Sequence, residues 1–232
     1  MSTRTKRVLI CMIMLLSLCG CTNDKDVPEA QIPAAYKVIL SDYDKVLTYR
    51  LADTFESDYN NGKDVILSDA LTKSMTDELE YRWHCMLVEM VSGLNDPKKD
   101  DFGYVLKDIN EDGTPELFWV RKDYTILAVF TIQNDQAQLI DAFWPKYKGT
   151  VSGAGELYTI GSSGAAYSEY KIWHIPTDGS ELTSVKEFGI DGSEYYEMVD
   201  GKKQTVSEER FKELLTDYPF EENTDWEIVP LD

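Results

Sequence analysis

The chain has 232 residues, 43% of them hydrophobic and 12% aromatic, which supplies one folded core and is too apolar for wholesale disorder. Lys and Arg total 23 against 42 Asp and Glu, a net charge of −19; without the first twenty residues, which hold Arg4, Lys6 and Arg7 and no acid, 20 bases remain against 42 acids, or −22. That balance excludes nucleic acid as a partner, because binding a phosphate backbone takes a basic footprint. It also argues against docking on anionic lipid through a polybasic face.

Residues 1–20 read as a lipoprotein signal peptide. Arg4, Lys6 and Arg7 form a positive start, and the apolar stretch from Val8 to Leu18 is eleven residues long, a signal length too short to span a bilayer. Leu18-Cys19-Gly20-Cys21 follows and resembles the bacterial lipobox, with Cys19 a mild departure from the usual Ala or Ser. The resemblance implies that Cys21 is acylated on sulfur and becomes the mature N-terminus. The body would then be anchored through lipid to the extracytoplasmic face of the cell membrane, where two or three acyl chains hold it stably. Cys11 and Cys19 leave with the signal and Cys21 carries lipid, so Cys85 stands alone in the mature body. An intramolecular disulfide is therefore excluded, and Cys85 reads as a buried structural thiol.

Residues 21–33 are polar with two prolines and form a flexible tether. The body is expected over 34–232 as a single domain and a monomer. Tyr36, Ile39, Leu40, Tyr43 and Leu47 fall on one face of a helix, ended by Asn60-Asn61-Gly62 at the latest. A second helix is predicted over about 69–92, with Met75, Leu79, Trp83, Met86, Leu87 and Met90 on its stripe and Gly93 as its stop. Runs rich in Val, Ile, Phe, Tyr and Trp then predict strands at 102–109, 116–121, 125–133, 136–144, 150–160, 165–175, 181–190 and 194–199. Lys122-Asp123, Asn134-Asp135, the Gly161–Gly164 run and Asp178-Gly179 read as their turns. Asp200-Gly201 follows the last strand. A helix over 206–217 closes the body, with Thr205 and Glu208 at capping-box spacing. The class this predicts is α+β: N-terminal helices, a mostly antiparallel β-sheet and a C-terminal helix.

The best local motif is Asp108-Ile109-Asn110-Glu111-Asp112-Gly113-Thr114-Pro115-Glu116. Oxygen-bearing side chains at positions 1, 3 and 5 and glycine at 6 suit a hard cation, because alternate residues turn oxygens inward around a sharp bend. Thr114 would give its carbonyl and Glu116 a carboxylate, directly or through water, so the expected ion is calcium. Position 12 is Trp119 rather than the Glu of an EF-hand, and both flanks read as strands. The loop is similar instead to calcium loops that join two strands in extracellular β-rich modules.

With its entering strand and its Pro-Glu-Leu exit, residues 104–117, this phrase resembles uncharacterised lipoproteins and secreted proteins of Firmicutes. Weaker resemblance lies in 161–170 and 206–215. The resemblance implies a habitat and a fold, and carries no activity.

Enzymatic readings have little material. Two histidines, His84 and His174, leave little for a histidine metal site or a Ser-His-Asp triad. Gly161-Ser162-Ser163-Gly164 lacks the Lys of a phosphate loop. The expected function is a non-enzymatic binding or interaction module with an unknown protein or glycan partner; the alternative is an envelope hydrolase using paired carboxylates. A transporter's solute-binding lipoprotein fits less well, because two repeated α/β lobes are lacking. Tyr158, Tyr167, Tyr170, Trp173, Tyr195 and Tyr196, with Phe143-Trp144, form an aromatic group for which core packing is the first explanation and ligand stacking the second.

Overall fold

The computed structural model describes residues 32–51, 76–92, 99–152, 155–177, 182–221 and 224–231. Cys21, most of the tether, the proposed stops at 60–62 and 93, and the turn at 178–179 lie outside the described residues. The side chain of His84 does as well.

Helix α1 (Ala34–Leu51) and helix α2 (Asp77–Ser92) precede eleven strands among the described residues. The first sheet has the order β11-β1-β2-β3-β4, from Val229–Pro230, Phe102–Lys107, Glu116–Arg121, Ile126–Gln133 and Gln136–Ala142. The second has the order β10-β9-β8-β7-β6-β5, from Lys202–Val206, Glu194–Val199, Thr183–Asp191, Tyr167–His174, Glu156–Gly164 and Tyr147–Ser152. Every pairing is antiparallel. Helix α3 (Glu208–Asp217) follows β10. Antiparallel sheets with terminal helices were legible, but their division into two was not.

Three apolar layers hold these elements together. On one face of the first sheet, Leu117, Trp119 and Phe130 pack with Tyr36, Tyr43 and Leu47 of α1 and with Trp83, Met86 and Met90 of α2. The Tyr43 ring stacks on Trp119 with centroids 4.2 Å apart, and the Trp119 Nε1–H donates to Met90 Sδ at 3.3 Å. Buried side chains of this size each contribute about 1.5–3 kcal/mol. On the opposite face, Val105, Phe118, Val120 and Val129 meet Val151 and Leu157 of the second sheet and Ile175 just past β7. Beyond that sheet, Tyr158, Ile172 and Phe188 close against Phe211 and Leu214 of α3. The order of layers is helices, sheet, sheet, helix.

Several local expectations need correction. The run 150–160 divides into β5 and β6 around Gly155, whose φ of +72° reverses the chain. Gly161–Gly164 is the end of β6 and not a turn; the register shifts there, and the Ser162 hydroxyl donates to the carbonyls of Gly164 and Tyr167 at 3.2 and 3.1 Å. Residues 202–206, lacking any apolar alternation, are nevertheless strand β10, because Asp200 and Gly201 turn the chain back onto β9. Thr205 therefore cannot cap α3. Ser207 is the cap, its hydroxyl accepting from the Arg210 N–H at 3.2 Å. Cys85 is a free thiol but half-buried, beside the Tyr81 hydroxyl. His174 ends β7 exposed.

Candidate functional site

The loop from Asp108 to Pro115 joins β1 to β2, whose register is fixed by the pair Lys107 and Glu116 at its base. Gly113 takes a φ of +87°, the left-handed turn anticipated at position 6. The Asp112 N–H donates to both Asp108 Oδ1 and Asn110 Oδ1, each at 3.2 Å, so these two oxygens sit on one side of the loop. Asp108 Oδ2 accepts from the Gly113 N–H at 2.9 Å, and Asp112 Oδ1 accepts from the Thr114 N–H at 2.6 Å. The Asn110 amide also donates to Asp112 Oδ2 at 3.3 Å. Asp108, Asn110, Asp112 and Thr114 are thus brought into one tight network of side chains and backbone amides.

Glu116 lies beneath this network and is fully buried, at 0% exposure. Its Oε2 accepts from the Ile109 N–H at 3.0 Å, which draws the carboxylate under the loop. Its Oε1 has no hydrogen-bond partner among the described residues. Burial first, then the charges of Asp112 and Asp108, push the Glu116 carboxyl up to about 7. A carboxylate is costly in such a place without a donor or a cation. Among the described residues no three His, Cys, Asp or Glu side chains form a ready metal-ligating group.

The loop also touches the second sheet. The Asn110 amide donates to the Pro176 carbonyl at 3.3 Å, and a Cβ at Gly155 would come within 3.2 Å of Asn110 Cα. Glycine at 155 lets the two sheets approach at this point.

A second polar centre links the layers and was not foreseen. Asp141, at the end of β4 and fully buried, accepts from Arg82 Nη1 of α2 through both oxygens at 3.0 Å. It also accepts from the Tyr147 hydroxyl and the Ala142 N–H, each at 2.9 Å. Burial pushes the Asp141 carboxyl up, and Arg82 with the other donors opposes that push. The Arg82 guanidinium lies 4.5 Å from the centre of the Tyr147 ring. Nothing in local spacing announces this trio, whose members meet only through tertiary packing.

The aromatic group separates by strand alternation. Tyr158, Tyr170 and Tyr195 turn toward α3, with Tyr170 stacked on Phe188 at 5.1 Å and Tyr195 on Phe211 at 4.8 Å. Phe143 and Trp173 pack between the sheets. Tyr167 is left 48% exposed. Comparison with protein-family models, curated proteins and solved structures finds no match for the chain. No helix among the described residues is long and apolar enough to cross a membrane.

Proposed function

We propose that the chain is a lipid-anchored, extracytoplasmic binding module without catalysis, whose Asp108–Glu116 loop binds calcium and thereby fixes the contact between its two sheets. The observation that carries the reading is Glu116. Its buried carboxylate keeps one oxygen without a partner while the other accepts from the Ile109 N–H within the loop, near enough to Asp108 and Asp112 to feel their charge. Calcium gathers oxygen ligands and tolerates irregular geometry, so side chains of Asp108, Asn110, Asp112 and Glu116 with the Thr114 carbonyl suit it in kind and number. Binding would draw Glu116 toward the loop mouth and neutralise three mutually repelling carboxylates. Because Asn110 already bonds the Pro176 carbonyl, stiffening the loop stiffens the junction of the sheets. The positive start, apolar stretch and Leu18-Cys19-Gly20-Cys21 support the anchor. The resemblance of residues 104–117 to Firmicutes lipoproteins is consistent with it.

The test is thermal melting of the full chain in detergent, stripped with chelator and titrated with calcium. A hundredfold excess over the dissociation constant adds about 2.7 kcal/mol by mass action. A loop with no position-12 Glu belongs in the weak range, with a constant of about 10⁻⁴–10⁻³ M. Magnesium should raise the melting temperature less, and Asp108→Ala should abolish the calcium response. A melting temperature indifferent to millimolar calcium overturns the metal reading. For the anchor, a clickable fatty acid should label the wild type; label retained by Cys21→Ala overturns it.

A further inference from the structure

The face of the second sheet that packs against the first sheet changes character along its length. One row across the strands, Val151, Leu157 and Trp173, belongs to the core between the sheets. The next, Gly149, Thr159, Lys171 and Glu187, is polar on its outer strands. The third row runs Tyr147, Gly161, Glu169, Gly189, Tyr196 across five adjacent strands. Tyr147 at its start still packs into the core between the sheets, whereas Glu169 is only half-buried, and two of the five positions have no side chain.

The space above the two glycines is taken by the buried rings of Tyr147 and Tyr196, and the cleft opens beside them, against Glu169 and the exposed Tyr167. A Cβ on Gly189 would come within 2.8 Å of the Tyr196 ring, so that ring lies over the glycine; a Cβ on Gly161 would meet the Tyr147 ring at 3.4 Å. Tyr147 is held from behind by its hydrogen bond to Asp141. From β5 to β9 this row crosses four interstrand spacings, roughly 19 Å. Trp144 and the exposed Tyr167 add open ring surface, and Ser162, Ser163 and Ser168 add hydroxyls, around a cleft of about 410 Å³. That volume lies within the ~300–1,000 Å³ of ligand pockets.

The charges of the cleft identify its ligand. In a chain of net charge −19 the cleft is balanced, with Glu169 and Asp191 against Lys146 and Lys203. Glu169 is paired with Lys171 at 2.8 Å, Asp191 is bridged to Lys203, and the Lys203 ammonium lies 4.4 Å from the Tyr196 ring centre. Such a surface offers no surplus field to an ion, but many donors and acceptors beside ring faces. An added peptide strand is disfavoured, because the floor runs across strands whose backbone groups already pair with each other. Pyranose sugars match both features: their C–H faces lie on the electron-rich faces of aromatic rings, and their hydroxyls bond to carboxylates, ammonium groups and serines.

We infer that this cleft, formed where the second sheet extends past the first, is a binding site for an uncharged oligosaccharide. The inference rests on the reading of the chain as a binding module, and is independent of the calcium loop and of the lipid.

The test is calorimetric titration of the full chain in detergent with uncharged tetrasaccharides: those of β-1,4-linked glucose, N-acetylglucosamine, mannose and xylose, and α-1,4-linked glucose. Saturable binding of at least one is expected, weakened at least tenfold by Tyr167→Ala and by Glu169→Gln. Val185→Ala, an exposed position outside the cleft lining, should leave binding unchanged. An unchanged melting temperature in each variant separates loss of the site from loss of the fold. Binding of none of the panel overturns the inference, as does binding indifferent to Tyr167→Ala and Glu169→Gln. Selective capture of oligogalacturonate, lost in salt, or of a proline-rich peptide in place of the sugars, also overturns it. Melting the same preparation with calcium separates the two readings, since sugar binding without a calcium response removes only the metal, and the converse removes only the sugar.

Discussion

The two sheets are made the same way, by hairpins between neighbouring strands, and differ in what covers them. The first sheet is sandwiched between α1 and α2 on one side and the second sheet on the other, and the first six residues of β3 are buried without interruption. The second sheet has α3 on one face, while its other face is covered from β5 only as far as Trp173 of β7. Its outer strands carry the mark of that half-cover: β8 begins with three exposed residues, and most of β10 is exposed. Covering both faces secures the frame, and leaving one face partly bare gives the second sheet a surface able to meet another molecule.

Substitutions should separate the two regions by size of effect. The largest is expected in the first sheet, where Trp119→Ala removes a fully buried ring stacked on Tyr43 and should cost about 3–5 kcal/mol. Denaturant unfolding followed by fluorescence and by circular dichroism would measure it, and the transitions should coincide if both sheets unfold together. Asp141→Ala should rival it, at about 3–5 kcal/mol, because Arg82 is left without its buried partner. A loss below 1 kcal/mol would mean that the junction of α2, β4 and β5 contributes little.

Smaller losses are expected across the α3 face. Glu197, bonded by Arg210 and by Lys186, has its carboxyl held below the ordinary 4.5, by the Arg210 hydrogen bonds first. A lowered acid stabilises the fold above its ordinary value, and that stabilisation is lost as pH falls through the lowered one. Glu197→Gln should therefore cost about 1.5 kcal/mol at neutral pH, and should flatten the acid limb of the stability curve below pH 4.5. An acid limb identical to that of the wild type would refute this role. The smallest effect belongs to the bare face: Tyr167→Ala should change stability by no more than about 0.5 kcal/mol. A larger loss would place Tyr167 within the core and end the contrast between the faces.

What could be read in advance follows the same division. Strand β2 lies where its apolar run placed it, and Asn134 and Asp135 both take positive φ, 51° and 61°, as a tight hairpin turn requires. These signals are local. Strand β10 was missed because Lys202-Lys203-Gln204-Thr205 has no apolar face to bury; it is held by backbone pairing with β9 and by polar contacts of Lys203 and Thr205. Gly161-Ser162-Ser163-Gly164 has the composition of a turn, yet its pairing with β5 and β7 keeps it extended. The oxygens of the loop were anticipated from spacing, whereas the depth of Glu116 depends on Ile109 and on the packing around it. Arg82, Asp141 and Tyr147 gave no signal, because separate elements bring them together.

The short strand β11 bears on how the body comes into being. It pairs with β1 through Gly103 opposite Pro230 and Tyr104 opposite Val229, and a Cβ on Gly103 would fall 2.5 Å from Ile228 Cγ2. During vectorial synthesis β1 emerges early and β11 last among the described strands. For most of that interval the outer edge of β1 has open amides and carbonyls, ready to template a neighbouring chain. Acquisition of resistance to proteolysis and to self-association should therefore be late and abrupt, timed by arrival of the segment around residue 229. A chain truncated shortly before that point would hold nearly every element of the body and still offer a sticky border.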